Sequence, residues 1–224
     1  MSWMRQRICE GQLAVMLLTR LPAGRLGYDV PKLASAVWFF PSVGIPIGLL
    51  VGLSYIGMCY LGILPTLASI LAFSIGLIVT GAMHEDGLAD CADGFGGGQS
   101  KNQKLEIMRD SRIGSFGVLA LFFIVSARIV SLSNLPPNQE VLFAVIALAM
   151  ISRLVMVFYL TFLSPARDEG LGRDASKPEV GALVISVITC IPIIFICGSY
   201  MISCVAIIAI IAFLFGWIIR IQIG

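Results

Sequence analysis

An all-α, polytopic transmembrane bundle is the fold this sequence predicts, on three observations. Of its 224 residues, 58% are hydrophobic and only 12% charged, where a soluble domain carries roughly 25% charged residues. Next, 24 of the 28 charged side chains fall in three segments, 1–32, 84–112 and 164–179. Finally, the intervals between these segments are apolar runs divisible into lengths of about 20 residues, enough for a helix to cross a bilayer. The partner these features imply is lipid. A net charge of +2 is too small to argue for nucleic acid.

The expected organisation is one integral membrane domain over 1–224, with a polar N-terminal segment at 1–33. Arg5 and Arg7 are followed by Glu10 and Gln12, with no sustained apolar core before Arg20. No cleavable signal peptide is therefore expected. About six spans are predicted, near 34–60, 62–83, 114–133, 139–163, 180–198 and 200–219. The first carries Pro41 and Pro46, so it should be kinked or preceded by a half-buried entry segment. Gly44, Gly48 and Gly52 recur every four residues and line one helical face, where another helix can approach closely.

Charge placement orients the chain. The turns Leu61–Pro65, Asn134–Glu140 and Gly198–Tyr200 contain no Lys or Arg, while the three polar segments contain five, four and three. The positive-inside rule places the N-terminus, an acidic, glycine-rich catalytic loop over 84–113 and a second polar loop over 164–179 in the cytoplasm. Six cysteines form no CxxC pair. Cys190, Cys197 and Cys204 are spaced as one helical stripe and read as small packing residues.

The chemistry concentrates between Gly81 and Gly117. Six of the thirteen acids and the only histidine lie there, and carboxylates in an apolar protein are costly unless water, a metal or a charged substrate meets them. Steps of four and three residues bring Asp86, Asp90 and Asp93 to one helical face. A divalent cation would relieve their repulsion, and hard oxygen ligands with room for water suit Mg²⁺. A solvated loop face is the other reading. His84 and Glu85 stand at the membrane border, His84 as a base, a ligand or a hydrogen-bonded structural residue. The Gly96-Gly97-Gly98 run could approach a phosphate through its N–H groups or serve as a connector. Lys104 to Arg112 reads as an amphipathic turn or helix. Arg109 and Arg112 could grip one phosphate, or snorkel at the interface. Glu106, Asp110 and Ser111 could support them. Arg167 repeats the theme in the third polar segment. Arg153 lies inside an apolar span and is a functional candidate by position, with Arg128 a weaker one that could pair with an acid. Metal-holding acids beside phosphate-holding arginines suggest phosphoryl or nucleotidyl transfer.

At these residues the chain resembles the cobalamin synthase family, the adenosylcobinamide-GDP ribazoletransferases. The resemblance is carried by Thr19-Arg20-Leu21-Pro22, Phe40-Pro41 with Gly44 and Gly48, His84-Glu85-Asp86-Gly87-Leu88-Ala89-Asp90 with Asp93-Gly94, Glu106 to Gly114 with Gly117, Ser152-Arg153, and Ala166-Arg167 with Gly170-Leu171-Gly172. It implies a multi-pass inner-membrane enzyme using Mg²⁺. Such an enzyme joins adenosylcobinamide-GDP to α-ribazole or its 5′-phosphate and releases GMP. It further implies Asp86, Asp90 and Asp93 as metal ligands, Arg109, Arg112, Arg153 and Arg167 on substrate phosphate, and His84 or an aspartate as the base. A homo-oligomer or an assembly with other corrin-pathway enzymes is compatible with it. Members of the family continue with a Gly-Gly-x-Thr-Gly-Asp-like block and a further apolar span where this sequence stops at Gln222-Ile223-Gly224, so the expectation is a chain lacking one C-terminal span. Two alternatives compete. A CDP-alcohol phosphotransferase-like enzyme fits Asp86-Gly87-Leu88-Ala89, but Asp90 stands where an arginine is required and Met83 where an aspartate is. A transporter fits Arg153 and the glycine-rich spans, but no inverted repeat is visible.

Overall fold

The computed structural model describes residues 3–27 and 30–223, and within these the chain is helical, with no strand. An N-terminal helix α1 (Trp3–Leu18) leads through an irregular stretch to a short α2 (Leu33–Ala36), a 3-10 turn (Val37–Phe39) and the long α3 (Phe40–Tyr60). The 3-10 break at Val37–Phe39 and Pro41 in the first turn make the segmented entry to the first span. There follow α4 (Pro65–Thr80), α5 (Met83–Gly97), α6 (Lys101–Ile107), α7 (Ser115–Ser133), α8 (Gln139–Phe162), α9 (Leu171–Asp174), α10 (Val180–Cys197) and α11 (Ser199–Ile223). Among the described residues five helical segments are long and apolar enough to cross a membrane, and α4 with α5 makes a sixth if that bent pair is one broken span. The protein is a multi-pass helical membrane protein. Because α10 ends at Cys197, Cys204 lies on α11. The expected single stripe of three cysteines is thus split between two helices, and all six thiols are free.

The core is built around α3 and α8. An ideal Cβ on Gly44 would sit 2.6 Å from the backbone N of Met150, and one on Gly48 2.5 Å from Ile146 Cα. The absent side chains let the two backbones meet, as their spacing predicts. The pair packs on α1 through Leu18, Phe40, Val43 and Val157, and α8 packs on α10 and α11 through Ile146, Met150, Cys190 and Met201. Tyr55 closes the far end, its hydroxyl donating to Leu135 O at 2.7 Å. By contrast α7 and α11 leave Phe122, Phe123, Ile210, Phe213 and Trp217 exposed, an outer surface that suits lipid and not water.

The chain turns 90° between α4 and α5. Gly81 and Ala82 both adopt left-handed backbone, φ 68° and 57°. Such φ suits glycine, but a side chain there costs about 1–2 kcal/mol. Arg20 packs over Gly81, and its N–H donates to Val79 O at 2.7 Å, so the N-terminal segment braces the bend. Ala82→Gly is expected to raise the melting midpoint in detergent by a few degrees, and Ala82→Val to lower it, since a β-branched side chain tolerates this φ least.

Candidate active site

The polar segment 84–112, expected as a loop, is largely helical. α5 begins just after the bend, with Glu85 and Asp86 in its first turn, where carboxylates favourably meet the positive helix end. It carries four acids, lies at 90° to α4, and runs alongside α7. Glu85 Oε1 meets Arg128 Nη1 at 2.8 Å well along α7, while Asp93 meets Gly114 and Gly117 at its start.

The helix divides the predicted site into two groups. Residues two apart on a helix lie about 200° apart, so His84 and Asp86 face nearly opposite ways. The charged groups acting on His84 are Arg153, Glu85 and Arg128. Those acting on Asp90 are Asp86, Arg167 and Asp93. Burial, and then the neighbouring Asp86 carboxylate, push the Asp90 carboxyl above its ordinary value, with Arg167 opposing. His84, Glu85 and Arg153 therefore form one set, and Asp86, Asp90 and Arg167 another.

Asp93 has a job of its own. It is buried, and its two oxygens accept the backbone N–H groups of Gly114 at 2.7 Å and Gly117 at 2.8 Å, so the carboxylate caps the start of α7. An added Cβ on either glycine would collide with Asp93. The register that aligned Asp93 with Asp86 and Asp90 is real, but its end of the face meets a neighbouring helix. Asp93→Asn keeps one acceptor and turns an N–H₂ toward a donor. The expected loss is about 1.5–3 kcal/mol, the scale of a hydrogen bond to a charged group, read as a lower melting midpoint and faster proteolysis within 108–117.

The glycine run is a packing device. Gly96 faces the Phe116 ring, with an ideal Cβ 2.6 Å from its Cγ, and Gly94 faces Met108, at 2.7 Å from Cγ. Gly98 lies against Lys104. These contacts lay α6 and the start of α7 onto the end of α5. α6 opens with a capping box, Ser100 accepting from Gln103 N at 3.3 Å while Gln103 accepts from Ser100 N at 3.2 Å. It stops at Ile107, so Arg109 to Ile113 is an irregular strap. Arg109 borders an open cavity of about 740 Å³ with Gly97, Gln103, Glu106 and Asp110. Arg112 is exposed and paired with Asp110 at 2.7 Å. That hydrogen-bonded guanidinium holds the Asp110 carboxyl below its usual value. Ser111 is exposed on the same strap.

The third polar segment joins this end. Arg167 donates to Leu105 O at 2.8 Å while acting electrostatically on Asp90, and Lys104 bonds Gln222 on α11. Arg153 stands apart, 7% exposed within α8, its Nη1 bonded only to Ala149 O and Ser152 Oγ of its own helix. Among the described residues no three His, Cys, Asp or Glu side chains converge as a ready-made metal site. Asp86 and Asp90, one turn apart, still match the one or two carboxylates by which Mg²⁺ is usually held while substrate phosphates and water complete its shell. The Glu85–Arg128 pair and the Asp93 cap were not foreseen as contacts; Arg128 as the partner of an acid was. Sequence offers no local signal for either contact, because the partners lie 43 and 21 to 24 residues away.

The fold and site together define a class, a polytopic helical membrane protein with a cluster of acids and guanidinium groups around α5 and α6. Within that class the sequence model of the cobalamin-5-phosphate synthase family matches residues 11–224, and the chain belongs to that family. Among its relatives, a protein of Mesorhizobium japonicum is 38% identical over 191 residues, 85% of this chain and 74% of the relative. One of Bradyrhizobium diazoefficiens is 37% identical, covering 81% of this chain and 70% of the relative. One of Azorhizobium caulinodans is 43% identical, covering 74% and 64%. Each bears the name adenosylcobinamide-GDP ribazoletransferase. No solved structure matches. This membership makes the chain a transferase of cobalamin synthesis and sets aside the CDP-alcohol and transporter readings.

Proposed function

We propose that the chain joins adenosylcobinamide-GDP to α-ribazole, or to its 5′-phosphate, in the inner membrane, with the α5–α6 end of the bundle facing the cytoplasm. The ribazole 3′-hydroxyl attacks the phosphorus on the cobinamide side of the diphosphate. The new bond is O3′–P, the bond broken is the diphosphate bridge, and GMP leaves with the bridging oxygen. The observation that carries this reading is that Arg167, tied to Leu105 O of α6, acts with Asp86 on the Asp90 carboxyl, bringing an arginine from 77 residues away to the acids of α5.

Asp86 and Asp90 hold Mg²⁺ in this proposal, and Asp93 fixes the strap in place of ligating the metal. Bound Mg²⁺ supplies charge neutralisation on the diphosphate. Arg109 and Arg167 bind its phosphates, and Arg112 joins them once it leaves Asp110, since a phosphate is a stronger bidentate partner than an exposed carboxylate. The hydroxyl proton passes to a carboxylate of the Asp86–Asp90 pair, because His84 points away. The Arg-rich ends and uncharged opposite turns support the cytoplasmic orientation. The test is purified protein in detergent or nanodiscs with both substrates. Mg²⁺-dependent release of GMP stoichiometric with the joined corrinoid is expected; no GMP release would overturn the reading.

A further inference from the structure

At the first turn of α5, Glu85 pairs with Arg128 of α7, and His84 lies within the electrostatic reach of Glu85, Arg128 and the buried Arg153 of α8. Met83, just before them, packs against a buried cluster drawn from several helices. Arg128 is satisfied, paired with Glu85 Oε1 at 2.8 Å and lying 5.3 Å over the Phe73 ring. Three buried atoms of the others have no partner: Arg153 Nε, Glu85 Oε2 and His84 Nε2. An unpartnered buried polar atom is costly, and folded proteins hold few of them. Three in one cluster, one on a guanidinium more than nine-tenths buried, mark a place kept for something polar.

The chemistry of the three atoms selects what that is. Arg153 Nε–H can only donate. Glu85 forms an ion pair with Arg128 through Oε1, and the other oxygen of its carboxylate accepts. His84 Nε2 does either, according to tautomer. A phosphate would satisfy Arg153 but bring only acceptor oxygens to Glu85 Oε2, leaving that atom without a donor. A cation would face two guanidinium groups. A neutral group with both a donor and an acceptor satisfies every atom. His84 and Glu85 are only partly buried, so the cluster is reachable from the surface while Arg153 lies beneath.

We infer that His84, Glu85 and Arg153 form a subsite for a neutral donor–acceptor group of a substrate, a hydroxyl or a carboxamide, distinct from the phosphate-handling face of α5. The inference rests on the ribazoletransferase reading, under which both substrates carry such groups. The sugar of α-ribazole bears hydroxyls, and the corrin periphery bears carboxamides. α5 then works as a two-sided helix, with acids for the diphosphate on one side and a buried recognition cluster on the other.

The test measures binding of each substrate alone to the full chain in nanodiscs, for the wild type and for Arg153→Lys, Glu85→Gln and His84→Asn. Arg153→Lys keeps the charge and removes Nε. Glu85→Gln and His84→Asn carry the test if that variant does not fold, as judged by melting and size exclusion. The expected result is a loss of affinity on the order of tenfold for one substrate only, the scale of one hydrogen bond to a charged group. Selective loss for α-ribazole assigns the sugar hydroxyls, and selective loss for adenosylcobinamide-GDP assigns the carboxamides. Unchanged affinities would mean that water alone fills the cluster, and equal losses for both would mean a general structural role; either overturns the inference. So does a wild type that binds neither substrate. The ribazoletransferase reading fails separately, if wild-type protein with both substrates present releases no GMP.

Discussion

Replacing Asp90 by Asn is expected to lower the rate of GMP release about a thousand-fold without unfolding the protein. The first half of the expectation follows from charge. Asp86 and Asp90 are the carboxylates of α5 left to meet a metal once Glu85 is paired with Arg128 and Asp93 with the start of α7. Metal stabilisation of a transferring phosphoryl group is worth several kcal/mol, and about 1.4 kcal/mol is a factor of ten in rate. The second half follows from repulsion. Burial and Asp86 already disfavour the charged form of Asp90, so a neutral side chain of the same shape relieves strain between like charges. The melting midpoint should hold or rise while turnover collapses and the Mg²⁺ concentration for half-maximal rate increases. Full Mg²⁺-dependent turnover by this variant would sink the metal assignment.

Gly48→Leu should have the largest effect on folding. The atom nearest an added Cβ at this position is a backbone atom, Ile146 Cα at 2.5 Å, with Ile146 N at 3.0 Å. Backbone cannot step aside as a flexible side chain can, so α3 and α8 must part along their central contact. Overpacking of a tight site costs typically about 1–3 kcal/mol and occasionally more, and at this chain length each kcal/mol moves the midpoint by roughly 2–4 °C. A drop on the order of 5–10 °C, or loss of the monodisperse peak in detergent, is expected. Gly57 lies on the same helix with nothing within 4 Å of an added Cβ, and Gly57→Leu is the matched control. Equal melting of the two variants would show that the α3–α8 approach does not depend on the glycine.

The spans were legible because hydropathy is a local property. Each predicted crossing begins and ends within a few residues of a helix or of the α4–α5 bend. The glycine spacing was legible for the same reason, although nothing in it names α8 as the partner. The site was legible in part. The identity of the acids and the common face of Asp86, Asp90 and Asp93 follow from helical period. Grouping His84 with them followed nearness along the chain, and the same period argues against it.

Local pattern therefore established what kind of molecule this is: apolar helices, small-residue faces, and most of the acids and arginines in three segments. Those are consequences of side-chain solubility and of 3.6 residues per turn, and they need no knowledge of neighbours. What each polar group faces was settled only by packing. Asp93 became a helix cap because the glycines at 114 and 117 leave their N–H groups open to it. Glu85 was neutralised by an arginine 43 residues away. A carboxylate in an apolar bundle takes its role from the donor that reaches it, and which donor does so depends on how the helices pack.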